Sequence, residues 1–192
     1  MILASKSPRR REILESMGFR LKIIVPDVEE RSGEKEIPAR IMDIARQKTL
    51  ALATEQPLLY VTGADTVVIL DGEIIGKPVD AADAASTLRR LSGREHRVLT
   101  AFSFRNFSRN TDICDYEITK VFFRDLDEEL IRWYVGTGEP MDKAGSYGIQ
   151  GKGALLAEKI DGDFFNVMGF PIARFARRIL EEGLTPEQFP FL

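Results

Sequence analysis

Leu58-Leu59-Tyr60-Val61-Thr62-Gly63-Ala64-Asp65-Thr66-Val67-Val68-Ile69-Leu70 runs directly into Asp71-Gly72 and then Glu73-Ile74-Ile75-Gly76-Lys77-Pro78. The first run is apolar and rich in β-branched residues, which predicts a buried strand. Asp-Gly suits a tight hairpin turn in which both central residues take positive φ, so a short return strand is expected at 73–75. Across so tight a turn, Asp65 and Lys77 are expected on one two-stranded ribbon. An acid within such a run costs several kcal/mol, on the order of the desolvation of a carboxylate, unless a cation, a metal ion or hydrogen bonds compensate it. Asp65 is then either a carboxylate tolerated at a bulge that Gly63 permits, or a group kept for chemistry.

Working outward toward the N-terminus, a second misfit appears in Met1-Ile2-Leu3-Ala4-Ser5-Lys6-Ser7-Pro8-Arg9-Arg10. A short apolar strand leads to a serine able to cap a helix, a proline at its first position and two arginines in its first turn. A helix N-terminus carries partial positive charge, so a cation there is disfavoured by roughly 0.3–1 kcal/mol. Backbone N–H groups, the helix dipole and the guanidiniums together suit an anion such as phosphate. The plain alternative is that Arg9 and Arg10 are solvated. Ile13, Leu14 and Met17 give this helix an apolar face and Gly18 stops it.

Phe19–Val25 reads as a strand. Pro26 opens an acidic loop through Glu29, Glu30, Glu34 and Glu36, whose carboxylates are mostly expected in water. A helical pattern runs from Ile37 to about Gln56, with Ile41, Ile44, Ala45 and Leu52 on one stripe. Lys48 falls at the centre of that stripe at 100° per residue. It either snorkels to solvent or directs a cation inward at an anion.

Asp80 or Asp83 caps a helix ending at Leu91, and Asp127 caps another reaching Gly136. Between them, Arg97–Phe104 and Tyr116–Arg124 read as strands, and His96 reads as a hydrogen-bonded turn residue. Gly145, Gly148, Gly151 and Gly153 form a glycine-rich segment in which backbone can approach a ligand closely, with Lys143 and Gln150 as polar groups able to read it. A plain glycine-rich turn fits the same residues. It is not a Walker loop, because no Gly-Lys-Ser/Thr follows a four-residue spacer. Ala154–Ile160, Asp161-Gly162 and Phe164–Met168 read as a second hairpin, and Pro171 opens a last helix that Gly183 stops.

The chain has 192 residues and a formal net charge of −3, which disfavours general nucleic-acid binding through phosphate contacts and leaves room for a local basic pocket. One cysteine, Cys114, and one histidine, His96, exclude disulfide frameworks and Cys/His metal sites. No run approaches the roughly 18 apolar residues of a membrane span, and no secretory leader is evident. A soluble cytoplasmic protein in a single domain, 1–192, is expected.

Taken in order, these motifs resemble the Maf family of house-cleaning nucleoside triphosphate pyrophosphatases. Ala4 through Arg10 is similar to the family's opening signature. Val28-Glu29-Glu30, Lys48, Gly63 through Val68, Gly76-Lys77-Pro78, Ser92-Gly93 with His96, Asp142-Lys143-Ala144-Gly145 through Gly151, and Asn166-Val167-Met168-Gly169 with Pro171 match later signatures at the right spacing. The resemblance implies an α/β fold of the Maf/Ham1, ITPase-like type, with a mixed, elongated, twisted sheet flanked by helices and two lobes about a central cleft. It implies hydrolysis of a nucleoside triphosphate to the monophosphate and pyrophosphate with a divalent metal cation, Mg²⁺ or Mn²⁺, and a homodimer. By the same resemblance Asp65 is the catalytic proton acceptor, and Ser5, Arg10, Lys48 and Lys77 handle phosphates. Glu30 is assigned to the metal.

Arg9, Thr66 and Gln150 match the branch that acts on dTTP and UTP, where a second branch carries Trp, Gln and Glu and prefers 7-methylguanosine triphosphate. Phe170 stands where leucine is common in the family. The reading from a different class is a non-catalytic nucleotide-binding regulator of cell division, which would keep the cations and have no need of Asp65.

Overall fold

The computed structural model describes residues 1–191. In chain order the strands are β1 (Ile2–Leu3), β2 (Lys22–Ile23), β3 (Val61–Leu70), β4 (Glu73–Ile75), β5 (Glu95–Asn106), β6 (Thr111–Phe123) and β7 (Ala157–Asp161). The helices are α1 (Pro8–Ser16), α2 (Ile37–Glu55), α3 (Ala81–Leu91), α4 (Glu128–Gly136), α5 (Phe164–Met168) and α6 (Ile172–Glu181). The seven strands hydrogen-bond in the order β2-β1-β3-β5-β6-β7, with β4 paired to β3. β1 is parallel to β2 and to β3, whereas β3–β4 and β6–β7 are antiparallel, so the sheet is mixed. Among the described residues no helix is long and apolar enough to cross a membrane.

The chain groups into two compact units. The first holds Met1–Asp65, Thr100–Glu117 and the chain from Gly169 on. Its helix α2 buries Ile41, Ile44, Ala45, Leu52 and Ala53. Ile2, Ala4, Leu52, Ala53 and Val61 form one apolar cluster. On α6, Phe175 sits edge-on to Phe102, Phe104 and Phe19 at 5.4, 5.4 and 5.9 Å between ring centres. Phe19 also stacks on Phe189 at 4.6 Å. That anchoring explains why only Lys22–Ile23 of the expected strand 19–25 is regular, since Phe19 turns into the aromatic core instead of continuing a ladder.

The second unit holds Thr66–Leu99 and Ile118–Met168. Its core joins Val68, Leu70, Ile75, Leu88, Leu91, Val98, Val121, Phe123, Ile131, Tyr134, Tyr147 and Leu156. The expected hairpin is present: Leu70 opposes Glu73, and Asp71 and Gly72 take φ of 53° and 83°. Its ladder stops at Val68 and Ile75, so Lys77 lies beyond the paired ribbon on which it was expected with Asp65. Past Ile75, the Gly76 carbonyl instead accepts the Gly145 N–H at 3.0 Å. Of the two candidate caps for α3, Asp80 serves, accepting the Asp83 N–H at 2.8 Å. Asp127 caps α4 through Leu130 N–H at 2.8 Å.

The second expected hairpin does not form, because Phe164–Met168 is the short helix α5. Thr119 explains the change. Its hydroxyl bonds both the N–H and the carbonyl of Asp163 at 3.0 Å, turning the chain, and Asp163 Oδ1 then accepts the Phe165 N–H at 2.8 Å. Asn166 is fully buried and its amide donates to the Val98 carbonyl and to Thr119 Oγ1, both at 3.0 Å. Met17, expected on the apolar face of α1, is exposed.

His96 lies in β5 and not in a turn, with 2% exposure. Its Nε2 meets the Tyr147 hydroxyl at 2.7 Å, and its ring sits edge-on to Phe123. Burial pulls the imidazole down to about 4. The folded chain then takes up this proton only near pH 4, whereas an unfolded histidine takes it up near 6.5. The neutral ring therefore contributes stability that is complete above pH 6.5 and is lost as pH falls toward 4. We expect the native chain to lose roughly 1–2 kcal/mol more between pH 7 and 5 than His96→Gln does, read from urea midpoints at the two pH values. Equal pH dependence in the two proteins would rule this out.

Candidate active site

Lys48 occupies the centre of the buried stripe of α2, as its spacing predicts, and its side chain is only 9% exposed. It does not snorkel. Its ammonium donates to Asp65 Oδ1 on β3 at 2.8 Å and pairs with Glu30 Oε1 at 3.0 Å. The anion toward which this inward cation points is thus supplied by the chain itself. Asp65 stands within the continuous strand β3.

The meeting depends on a glycine. A Cβ built at Gly63 would lie 3.1 Å from Thr49 Cγ2, 3.3 Å from Ala4 Cβ and 3.4 Å from Lys48 Cβ. Bare backbone at 63 therefore lets α2 press against β3 at the turn that carries Lys48. Behind it, Thr49 Oγ1 and Ser103 Oγ share a hydrogen bond of 2.8 Å, and Thr62 Oγ1 donates to the Ser103 carbonyl at 3.0 Å, so buried polar atoms at this packing surface are satisfied.

Glu30 arrives from the irregular acidic loop. The loop is tied down next to Lys48, because Gln47 Nε2 donates to the Arg31 carbonyl at 2.7 Å. The neighbouring Glu29 is exposed and pairs with the exposed Arg31. The Glu30 side chain is itself 51% exposed, which makes it the looser of the two carboxylates on Lys48.

At the start of α1, Ser7 caps the helix by accepting the Arg10 N–H at 3.5 Å. Ser5 Oγ accepts from the Ser7 N–H and from Arg10 Nη1, each at 3.2 Å. Arg10 Nε donates to the Gly169 carbonyl at 2.9 Å. Desolvation draws the Arg10 guanidinium below its ordinary value, with Asp65 acting against that, Arg9 adding to it and Glu30 acting against it. Arg10 thus feels both carboxylates that hold Lys48. The Gly169 carbonyl is a contributor to which the sequence reading gave no role, although Gly169 stands in the motif Asn166-Val167-Met168-Gly169. In the structure Gly169 takes φ of 115° ahead of the buried Phe170, and the sequence signal is the glycine alone.

Ser5, Arg9, Arg10, Glu30, Lys48 and Asp65 all belong to the first unit, and the contacts above bring Glu30, Lys48 and Asp65 together and join Ser5 to Arg10. Thr66, Lys77 and Gln150 belong to the second. Thr66 is half-buried in β3, Lys77 is exposed after β4, and Gln150 is half-buried just ahead of the 3₁₀ turn Gly151–Leu155. Lys143, expected as a reading group, is engaged within its own loop. Its ammonium donates to the Glu139 carbonyl at 2.6 Å and to Asp142 Oδ1 at 2.7 Å.

Among the described residues no three His, Cys, Asp or Glu side chains gather as a metal cage. Two carboxylates on one ammonium nevertheless form a hard-oxygen donor set. Mg²⁺ commonly takes only one or two carboxylates and completes its shell with water and substrate phosphates, so Glu30 and Asp65 fit such an ion by number and chemistry.

Replacing Gly63 tests the packing. Gly63→Ala is expected to destabilise the fold by about 1–3 kcal/mol through overpacking against Thr49 and Ala4, measured as a lower urea midpoint. A midpoint equal to the native one would show that α2 does not depend on bare backbone at 63.

The Maf-like protein family matches residues 1–182. The dTTP/UTP pyrophosphatase of Fusobacterium nucleatum is 49% identical over 183 residues, covering 95% of this chain and 95% of that protein. The dTTP/UTP pyrophosphatase of Bacillus velezensis is 48% identical over 182 residues, 94% of this chain and 95% of that protein. Among solved structures, the Staphylococcus aureus Ham1 protein is similar at a TM-score of 0.47 and 15% identity, over 65% of this chain and 71% of that one. With a family match over nearly its whole length and relatives of near-half identity along 94–95% of its residues, this chain belongs to the Maf family.

Proposed function

We propose that the chain is a nucleoside triphosphate pyrophosphatase that hydrolyses dTTP and UTP, and in the same manner CTP and modified pyrimidine nucleotides, to the monophosphate and pyrophosphate. The observation that carries this reading is the ammonium of Lys48 held at 2.8 Å from Asp65 and 3.0 Å from Glu30, with Arg10 within the field of both acids. The named activity of the relatives supports it. It gives the non-catalytic regulator no support.

In this reading water attacks the α-phosphorus, a new P–O bond forms, the bond to the bridging oxygen breaks, and pyrophosphate leaves with the electron pair. Asp65 accepts the water's proton. Lys48, Arg10 and Lys77 neutralise the phosphates and Ser5 adds a hydroxyl, in keeping with phosphoryl chemistry being largely positioning and charge stabilisation. Arg9, Thr66 and Gln150 present donors and acceptors to the edge of a pyrimidine.

Two carboxylates beside the phosphate-handling cations would repel an incoming triphosphate, and this is a physical reason for a divalent ion. Glu30, together with Asp65, would hold Mg²⁺ or Mn²⁺, which supplies charge neutralisation and acidifies water when bound. The reading includes cytoplasmic action on free nucleotides, without nucleic-acid or membrane partners, and the homodimer that the family resemblance implies.

The test is pyrophosphate release from dTTP, UTP, CTP and 7-methyl-GTP with and without Mg²⁺. Release from dTTP and UTP is expected, lost with a chelator and restored by added metal. Asp65→Asn should lower kcat by about 10²-fold or more, the scale of removing a general base. Gln150→Glu should lower kcat/KM for dTTP by about tenfold, or about 1.4 kcal/mol. No release from any nucleotide would sink the assignment, and undiminished release by Asp65→Asn would remove Asp65 as the base.

A further inference from the structure

The glycine-rich segment that carries Gln150 is built around one carboxylate. Glu139 stands at the start of the 3₁₀ turn Glu139–Asp142, just after α4. Its Oε1 accepts the Tyr134 hydroxyl at 2.9 Å and the Gly153 N–H at 3.1 Å, and its Oε2 accepts the Lys152 N–H at 3.2 Å. Tyr134, fully buried on α4, accepts the Gly148 N–H at 3.1 Å. The amides so held lie on both sides of Gln150, one before it and two after. Burial pushes the Tyr134 hydroxyl above its ordinary range, the Gly148 amide acts the other way and Glu139 adds to burial, so the phenol is protonated and donates.

The glycines answer to the same centre. A Cβ at Gly151 would lie 3.2 Å from Glu139 Oε2, one at Gly153 2.7 Å from Tyr134 Oη, and one at Gly148 3.5 Å from Glu139 Oε1 and 2.9 Å from Lys143 Cε. At Gly151 and Gly153 the backbone wraps the carboxylate and phenol too closely for a side chain, whereas at Gly148 the close neighbour is Lys143. Gly151 also needs φ of 64°. Among the described residues the Glu139 carboxylate has no cationic partner, since Lys143 bonds its main-chain carbonyl instead.

We propose that Glu139, acting through Tyr134 and the amides of Gly148, Lys152 and Gly153, is the positioning residue that fixes Gln150 for choice of the pyrimidine base. The inference rests on the reading of Gln150 as a base contact. Both carboxylate oxygens are used as acceptors, so glutamine is only a partial substitute. Its amide group would oppose a donor with a donor on one side. Loss of the carboxylate leaves the loop free to misplace Gln150 while the Asp65 chemistry persists, so the effect falls on KM and selectivity and not on kcat.

The experiment compares the native chain with Glu139→Ala, Glu139→Gln, Tyr134→Phe and Gln150→Ala, measuring kcat and KM for dTTP and for dGTP with Mg²⁺. Glu139→Ala is expected to raise KM for dTTP and to lower the dTTP:dGTP ratio of kcat/KM, each by about tenfold, with kcat changed less than about threefold. Tyr134→Phe should act in the same direction by about threefold, and Glu139→Gln should fall between native and alanine. Amide exchange should quicken at Gly148, Lys152 and Gly153 and not in β3. If Gln150→Ala loses selectivity while Glu139→Ala and Tyr134→Phe both keep it, the positioning role is overturned and the reading of Gln150 stands. If Gln150→Ala keeps native selectivity, that reading falls and the proposal with it. A parallel loss of kcat for both nucleotides at constant ratio marks a purely structural role and also overturns the proposal. Should Glu139→Ala fail to fold, Tyr134→Phe, which keeps the buried ring, decides the matter.

Discussion

An ammonium buried among aliphatic side chains is among the costlier things a fold can hold, and the first unit is arranged so that Lys48 is not left alone. α2 supplies the lysine, β3 supplies Asp65, and a loop tethered through Gln47 and Arg31 supplies Glu30. Gly63 sets the approach of helix to strand on which the first contact depends. Removing Lys48 would take the ammonium from the poorly solvated Asp65, and removing Asp65 would leave Lys48 with the half-exposed Glu30 as its remaining carboxylate in this cluster. The cluster is therefore both a structural joint and a candidate reaction centre, and the two roles constrain the same atoms.

The arginines at the start of α1 show a related compromise. No acidic residue stands in that first turn, so the macrodipole meets cations where it would favour anions, at roughly 0.3–1 kcal/mol each. Arg10 offsets this locally. Its contacts to the Gly169 carbonyl and the Ser5 hydroxyl orient the guanidinium, and both of these acceptors are neutral. A neutral acceptor orients a guanidinium without offsetting its charge, whereas a carboxylate does both. The exposed pair Arg89 and Glu128, bidentate at 2.6 and 2.8 Å, represents the other arrangement and lies on ordinary surface.

Where local chemistry dictates geometry, the sequence was readable. Asp71-Gly72 specifies its hairpin, Ser7 and Asp127 specify helix starts, and the 3.6-residue period of α2 exposes Lys48 as out of place. Asp65 was legible for a similar reason, as a charge in a β-branched run. What could not be read were contacts made by groups far apart in sequence. Nothing local says that Thr119 will grip Asp163 and turn a hairpin candidate into α5. Nor does periodicity reach the acidic loop, where Glu30 differs from Glu29 only by the tether that brings it to Lys48. The spacing of Lys48 points to a cation directed inward at an anion, and the anions it meets are the chain's own.

The carboxylates of this protein divide by the kind of donor that satisfies them, and the division bears on what each can do. Glu139 is bound by two main-chain amides and a tyrosine hydroxyl, donors that cannot move away without unmaking the loop. Such an acid can hold a shape but has little capacity left for a ligand. Glu30 and Asp65 are bound by a lysine on a flexible stem, and Glu30 is half exposed. An arriving phosphate competes directly for that ammonium, and a divalent ion competes directly for the acids, so these partners are exchangeable in a way that the partners of Glu139 are not. Chemistry is therefore expected where carboxylates are paired by an exchangeable cation, and positioning where they are paired by backbone.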